Sequence, residues 1–279
     1  MRIALIQQHA TLDRAANVAR GLEAAREAAR QGARLIAFAE LAFDPFHPQQ
    51  PSTCGSGLPV ALAEPVPGPT TDAFSALARE LGIVVVLNLY ERDGARAYDS
   101  SPVIDADGRL LGTTRMLHIC EQPRFHEQGY YTPGDHGMPV YRTAAGPIGV
   151  AICYDRHYPE VMRALGLSGA DLVVIPQAGA VGEWPEGLFE AEVRVAAFQN
   201  GYFAALVNRV GREPHIDFAG ESFVVDPGGQ VIARAAAGRD DLLIVDIDRD
   251  LVARSHARRL FLRDRRPEIV VDLLRLERL

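Results

Sequence analysis

The chain has 279 residues, 48% of them hydrophobic and 23% charged, with a net charge of -7. That length can bury a sizeable core as one large α/β domain or two small ones. The acidic balance excludes nucleic acid as the main partner, because phosphate binding wants a basic surface, and no apolar run approaches the roughly 18 residues of a membrane span.

Read from the start, MRIALIQQHATLDR turns polar too soon for the apolar stretch of a secretory signal, so residues 2–7 are expected to form a first strand. An Ala-, Arg- and Glu-rich helix over 12–31 follows, then a strand over 34–39 (RLIAFA) and a helix over 71–81 that ends near Gly82. IVVVLNLY (83–90) is a near-continuous apolar run, the pattern of a strand buried on both faces. Residues 99–116 read as a hairpin turning at Asp107-Gly108. IGVAIC (148–153), DLVVIP (171–176) and YFAALV (202–207) are further core strands, with helices near 159–168 and 188–200 between them. FVVDPGGQVIA (223–233) is a second hairpin and DLLIVDI (241–247) a last strand. No linker or repeat divides the chain, so one layered α/β domain over 1–279 is expected. Its tail from Ser255, polar in RDRRPE (263–268), is expected to pack on a surface or a partner subunit.

Cys54, Cys120 and Cys153 are too few for a disulfide framework and lack the Cys-x-x-Cys spacing of a zinc site, so a reducing cytoplasm is the default. The histidines are scattered, without His-Glu-x-x-His, and no metal or other cofactor is expected. All 29 basic residues are arginine; the chain has no lysine, and hence no phosphate-binding Gly-x-x-x-x-Gly-Lys loop. A Gly-x-Ser-x-Gly elbow is also missing.

Three residues stand where chemistry could occur. Cys153 closes an apolar strand and precedes Pro159, which suits the first turn of a helix. A strand-to-helix turn of this kind can lower a thiol pKa and stabilise an oxyanion; a buried structural cysteine is the plainer reading. Glu40 closes the strand in AFAELAF, where an unpaired carboxylate is costly to bury and where parallel sheets gather their ligand sites. A solvated loop acid is the alternative. Glu127, between aromatic residues in FHEQGYYTPGD, could be a second desolvated carboxyl or an ordinary surface acid.

Taken together, AFAELAF near residue 40, YYTPGD at 130–135, GVAICYDRHYPE at 149–160, NRVG at 208–211 and DRRPE at 264–268 resemble the nitrilase superfamily of carbon–nitrogen hydrolases over nearly the whole chain. The resemblance implies an α-β-β-α sandwich, mixed sheets with helices outside. It also implies Cys153 as nucleophile, Glu40 as general base and Glu127 as assisting acid. Such an enzyme would hydrolyse a non-peptide C–N bond in a small amide or N-carbamoyl acid through a thiol-bound acyl group and release ammonia, with the chain assembled as a homodimer or larger homo-oligomer. CYDRHYPE further resembles the N-carbamoyl amino-acid and N-carbamoyl-β-alanine amidohydrolases, which place an arginine where Arg156 stands. Arg156 would then grip a substrate carboxylate, unless it forms an ordinary salt bridge, and Tyr154 and His118 would help bind the substrate.

One residue departs from that pattern. Where the family reads Arg-Lys-x-His-Ile, this chain reads Arg115-Met116-Leu117-His118-Ile119, so a thioether replaces the catalytic ammonium. Strand alternation would place Thr114, Met116 and His118 on one face and turn Arg115 away, leaving His118 or a distant arginine as the stand-in. A core or hydrogen-bonded structural histidine is the plainer reading of His118. A binding protein that has lost activity is the other reading.

Overall fold

The structure is a computed structural model that describes residues 1–52 and 58–269. Strands in the first half are β1 (Arg2–Gln7), β2 (Leu35–Phe38), β3 (Val84–Val86), β4 (Leu89–Asp93), β5 (Arg96–Ile104), β6 (Leu110–Arg115), β7 (Glu121–Gln122) and β8 (Phe125–His126). Those in the second half are β9 (Val140–Thr143), β10 (Gly146–Val150), β11 (Leu172–Gln177), β12 (Phe203–Asn208), β13 (Val210–Arg212), β14 (Asp217–Ala219), β15 (Phe223–Val225), β16 (Val231–Arg234) and β17 (Asp241–Asp246). Helices are α1 (Arg14–Arg30), α2 (Leu58–Leu62), α3 (Pro69–Leu81), α4 (Pro159–Leu167), α5 (Leu188–Asn200) and α6 (Asp250–Arg254).

One sheet runs β17-β1-β2-β3-β5-β4, with β6 added on β5; the other runs β16-β15-β12-β11-β10-β9. At the heart of each lie three parallel strands, β1-β2-β3 and β10-β11-β12. Alternation along these strands builds the layers. Ile3, Leu5, Leu35, Ala37, Val84 and Val86 of the first sheet pack against Ile148, Val150, Leu172, Val174, Phe203 and Ala205 of the second. The intervening residues face outward. Ala4, Ile6, Ile36 and Phe38 meet Ala25 and Ala28 of α1 and Phe74 and Leu77 of α3. Val173, Ile175, Ala204 and Leu206 meet Val161, Met162 and Leu165 of α4 and Val193 and Ala197 of α5. The chain is therefore an α-β-β-α sandwich of mixed sheets, as the resemblance implies. Each buried aliphatic side chain contributes roughly 1.5–3 kcal/mol through the water it leaves.

Local signals set the helix ends. Asp13 accepts from the amide of Ala16 at 3.0 Å at the start of α1, worth ~1 kcal/mol. Pro69 and Pro159 occupy first turns, and Gly82 ends α3 with φ 65°, a left-handed cap that glycine adopts without steric cost.

The run 83–90 is not one strand. It is interrupted at Leu87-Asn88 into β3 and β4, which pair with the same edge of β5 in one register, Val86 opposite Val103 and Leu89 opposite Ser100, while β6 takes the other edge. Asn88 is buried there and spends its side chain on three contacts described below. The tail turns at Ala257–Phe261, and Phe261 packs on Phe198 of α5 with ring centroids 5.3 Å apart. Residues 270–279, and Cys54, lie outside the described residues; Cys120 and Cys153 are free thiols.

Candidate active site

The parallel strands of both sheets end on the same side, and there the chain places its unusual residues. Glu40 follows β2, Cys153 follows β10, and Gln177 and Asn208 close β11 and β12. Cys153 has φ 43°, a left-handed conformation for a residue with a Cβ, which costs ~1–3 kcal/mol and turns the thiol out of line with its strand. Leu41, directly after Glu40, also has φ 43°. Two side chains, Asn88 and Arg209, hold that corner. Asn88 Oδ1 accepts from the Leu41 amide at 2.7 Å. Arg209 Nη1 donates to the carbonyls of Glu40, at 2.9 Å, and Leu41. Arg209 Nη2 donates to the Asp44 carbonyl at 3.0 Å and pairs with Glu213.

Glu40, Glu127 and Cys153 come together. Both carboxyls are wholly buried and the cysteine is 6% exposed. Burial pushes Glu40 up to about 8, the charge of Glu127 adds to this, and the adjacent Cys153 thiol, the Asp99 carboxyl and the Arg209 guanidinium pull the other way. No partner of Glu40 meets hydrogen-bond geometry; Cys153 and Asp99 act on its charge as neighbours, at a spacing that substrate binding can tighten. Glu127 Oε2 accepts from the Cys120 amide at 3.1 Å, while Oε1 is unpartnered. Burial first, then the charge of Asp99, holds Glu127 well above the usual carboxyl range. The Cys153 thiol is raised by burial and by Glu40 and Glu127, against the pull of Arg156 and the Ala178 amide. Its resting form is the thiol, with Gln177 Nε2 donating to Sγ at 3.1 Å. A sulfur in this state needs a base before it can attack.

Met116 is fully buried in the same apolar cluster as Cys153, Ile152 and Ala39. Arg115 faces away, as alternation requires. It binds both oxygens of Glu91, at 3.0 and 2.6 Å, along with Asp93 and Asp135, and it lies over the Tyr98 ring. His118 does not continue the alternation, because the strand ends at Arg115. The amides of Leu117 and His118 donate instead to the Asp155 carboxylate at 3.0–3.2 Å. His118 Nδ1 adds a 2.8 Å contact to Asp155, and its ring stacks on Tyr158 at 3.5 Å. The imidazole therefore ties this loop to the Cys153 turn and does not stand in for an ammonium. Among the described residues no cation forms an ion pair with Glu40, Asp99 or Glu127.

Arg156 is also committed within the protein. Its Nη1 donates to the Cys153 carbonyl at 3.1 Å and to Gln177 Oε1 at 2.9 Å, and its Nε lies 3.2 Å from Glu192. Its guanidinium sits over Phe189, and only Nη2 is left without any contact. Tyr154, partly buried against the apolar cluster that includes Cys153, contacts the rings of His157 and Tyr158.

A model of the carbon–nitrogen hydrolase family matches residues 2–257. The chain belongs to the carbon–nitrogen hydrolase family. It is 33% identical over 292 residues to the N-carbamoylputrescine amidase of Solanum lycopersicum, covering 99% of this chain and 95% of the relative. A carbon–nitrogen hydrolase from Helicobacter pylori G27 superposes with a TM-score of 0.89 at 28% identity over 98% of both chains. A variant of the amidase from Nesterenkonia sp. AN1, with the acetamide moiety of fluoroacetamide added covalently at its active site cysteine, gives 0.80 at 28% identity over 98% of this chain and 96% of that one. This carbon–nitrogen hydrolase is thus an enzyme of C–N bond cleavage, and no helix among its described residues is long and apolar enough to cross a membrane.

Reading the sequence alone missed Asp99, Asn88, Gln177, the grip of Arg209, and Tyr131, whose buried hydroxyl stands without a partner near Asp99, Glu40 and Glu127. Tyr131 and Arg209 stood inside the YYTPGD and NRVG segments. Asp99 gave no local signal of its own within β5, RAYDSSPVI.

Proposed function

We propose that this carbon–nitrogen hydrolase cleaves the terminal C–N bond of a small amide or N-carbamoyl compound, with Cys153 as nucleophile, Glu40 as general base and Glu127 assisting. The convergence of a buried thiol on two buried carboxyls at the ends of the parallel strands carries this reading. Glu40 takes the thiol proton as sulfur attacks the carbonyl carbon. The tetrahedral species collapses, the proton passes to the departing nitrogen, and ammonia leaves an acyl group on Cys153. Glu40 then takes a proton from water, whose oxygen attacks the thioester, and the thiol is restored as the acid departs.

The near-closure of the site favours a substrate that inserts only a narrow carboxamide or ureido head. Arg156 supports this chemistry by holding the Cys153 carbonyl and Gln177, so its carboxylate-binding role is reduced to the one nitrogen left over. The test is ammonia release from a panel of primary amides, N-carbamoyl amines and N-carbamoyl acids. At least one should be turned over, with Cys153→Ala and Glu40→Gln both inert. Release that persists in Cys153→Ala removes the assignment, and no release from any member favours a binding protein that has lost activity.

A further inference from the structure

Three buried carboxyls, not two, meet at this site. Asp99 lies on β5, where the pairing Ser100↔Arg115 puts Asp99 opposite Met116, and the Met116 amide donates to the Asp99 carbonyl at 2.9 Å. Cross-strand partners present their side chains on the same face. The carboxyl of Asp99 therefore stands beside the very position from which an ammonium is missing. It is fully buried. Its Oδ1 is an acceptor, taken by Asn88 Nδ2 at 2.6 Å; that amide also donates to Ser101 Oγ at 3.1 Å. Its Oδ2 is buried without a partner, as are both oxygens of Glu40 and Oε1 of Glu127.

We propose that Asp99 is a positioning residue of this enzyme, donating a hydrogen bond from a protonated Oδ2 to the Glu40 carboxylate in place of the absent ammonium. The inference rests on Glu40 acting as the base. The fixed acceptor at Oδ1 leaves Oδ2 as the atom that carries the proton. Two carboxyls that share a confined site do not both ionise, and one proton is retained between them. Burial, then Glu40, holds Asp99 well above its usual range. The other groups around the pair are Glu127, Asp155, the Tyr131 hydroxyl and the Cys153 thiol, with Arg209 held at the Glu40 backbone carbonyl. All but Arg209 are neutral or negative, so among the described residues no second cation faces the pair; the donors within reach are a proton on a carboxyl, the Tyr131 hydroxyl and the Cys153 thiol, and of these only the Asp99 carboxyl stands across the ladder from Met116.

The experiment compares Asp99→Asn with Asp99→Leu by the pH profile of kcat/KM and by thermal melting. Asparagine keeps an acceptor for Asn88 and sets an N–H where Oδ2 stood. Asp99→Asn should therefore stay within about threefold of wild type, with its acid limb unmoved. Asp99→Leu should lose roughly 10- to 100-fold, the range of a hydrogen bond to a charged group, mostly in kcat, with the acid limb displaced to higher pH. An Asp99→Asn variant that melts like wild type but is as impaired as a Glu40→Gln control overturns the proposal. So does an Asp99→Leu variant with wild-type rate and profile. An active Glu40→Gln control would instead remove the base assignment on which the proposal stands.

Discussion

Met116→Lys tests how this site works without a cation. Methionine and lysine have unbranched stems of similar length, so the substitution should change the charge more than the packing. With Glu40 titrating at about 8, roughly one site in ten carries an ionised base at pH 7. An ammonium within about 4–6 Å lowers a carboxyl by roughly 1–3 pH units. That would bring Glu40 to about 5–7 and raise the ionised fraction about five- to tenfold at neutral pH. Any help the ammonium gives to the oxyanion would add to this. The assay is kcat/KM for ammonia release from pH 5 to 9. Wild type should climb toward pH 8 and beyond, whereas Met116→Lys should reach its plateau at lower pH. A variant that melts like wild type but keeps the acid limb unmoved would refute the reasoning, and one that loses activity would show a site rebuilt around carboxyls alone.

Glu40 also predicts a trade between stability and activity. Its carboxyl titrates near 4.5 when unfolded and at about 8 when folded, so between those values the native state holds the extra proton and stability falls as pH rises. Glu40→Gln should remove that loss, on the order of 3–5 kcal/mol between pH 5 and pH 8, while abolishing turnover; urea melts at the two pH values check it, and an equally steep pH dependence in the variant would contradict it. Arg156→Ala should lower kcat for neutral and carboxylate-bearing substrates alike, because it frees the Cys153 carbonyl and Gln177 together. A loss of about 1.5–3 kcal/mol confined to carboxylate-bearing substrates would return Arg156 to the substrate.

The layers were legible in the sequence because parallel strands buried on both faces write long apolar runs, and 148–153, 171–176 and 202–207 all became core strands. The break at Asn88 was not legible. It goes with the Asn88 side chain, which reaches the Leu41 amide, Asp99 and Ser101, distant partners that leave no local mark. Glu40, Glu127 and Cys153 could be found because each interrupts an apolar or aromatic context. Asp99 could not, since its meaning comes from lying across the ladder from Met116. For Arg156 and His118 the sequence showed charge and position but not partners, and here each partner is another part of the protein: the Cys153 carbonyl and Gln177 for one, Asp155 for the other.

The most direct measurement is to label the nucleophile. Incubation with fluoroacetamide, whose fluorine-bearing carbon the sulfur attacks with loss of fluoride, followed by proteolysis and peptide mass spectrometry, should place the acetamide adduct on Cys153. Cys120, whose thiol burial pushes up to about 12, should stay unmodified, and Cys153→Ala should take up nothing. An adduct on Cys120, or ammonia release with Cys153 unmodified throughout, would contradict the account.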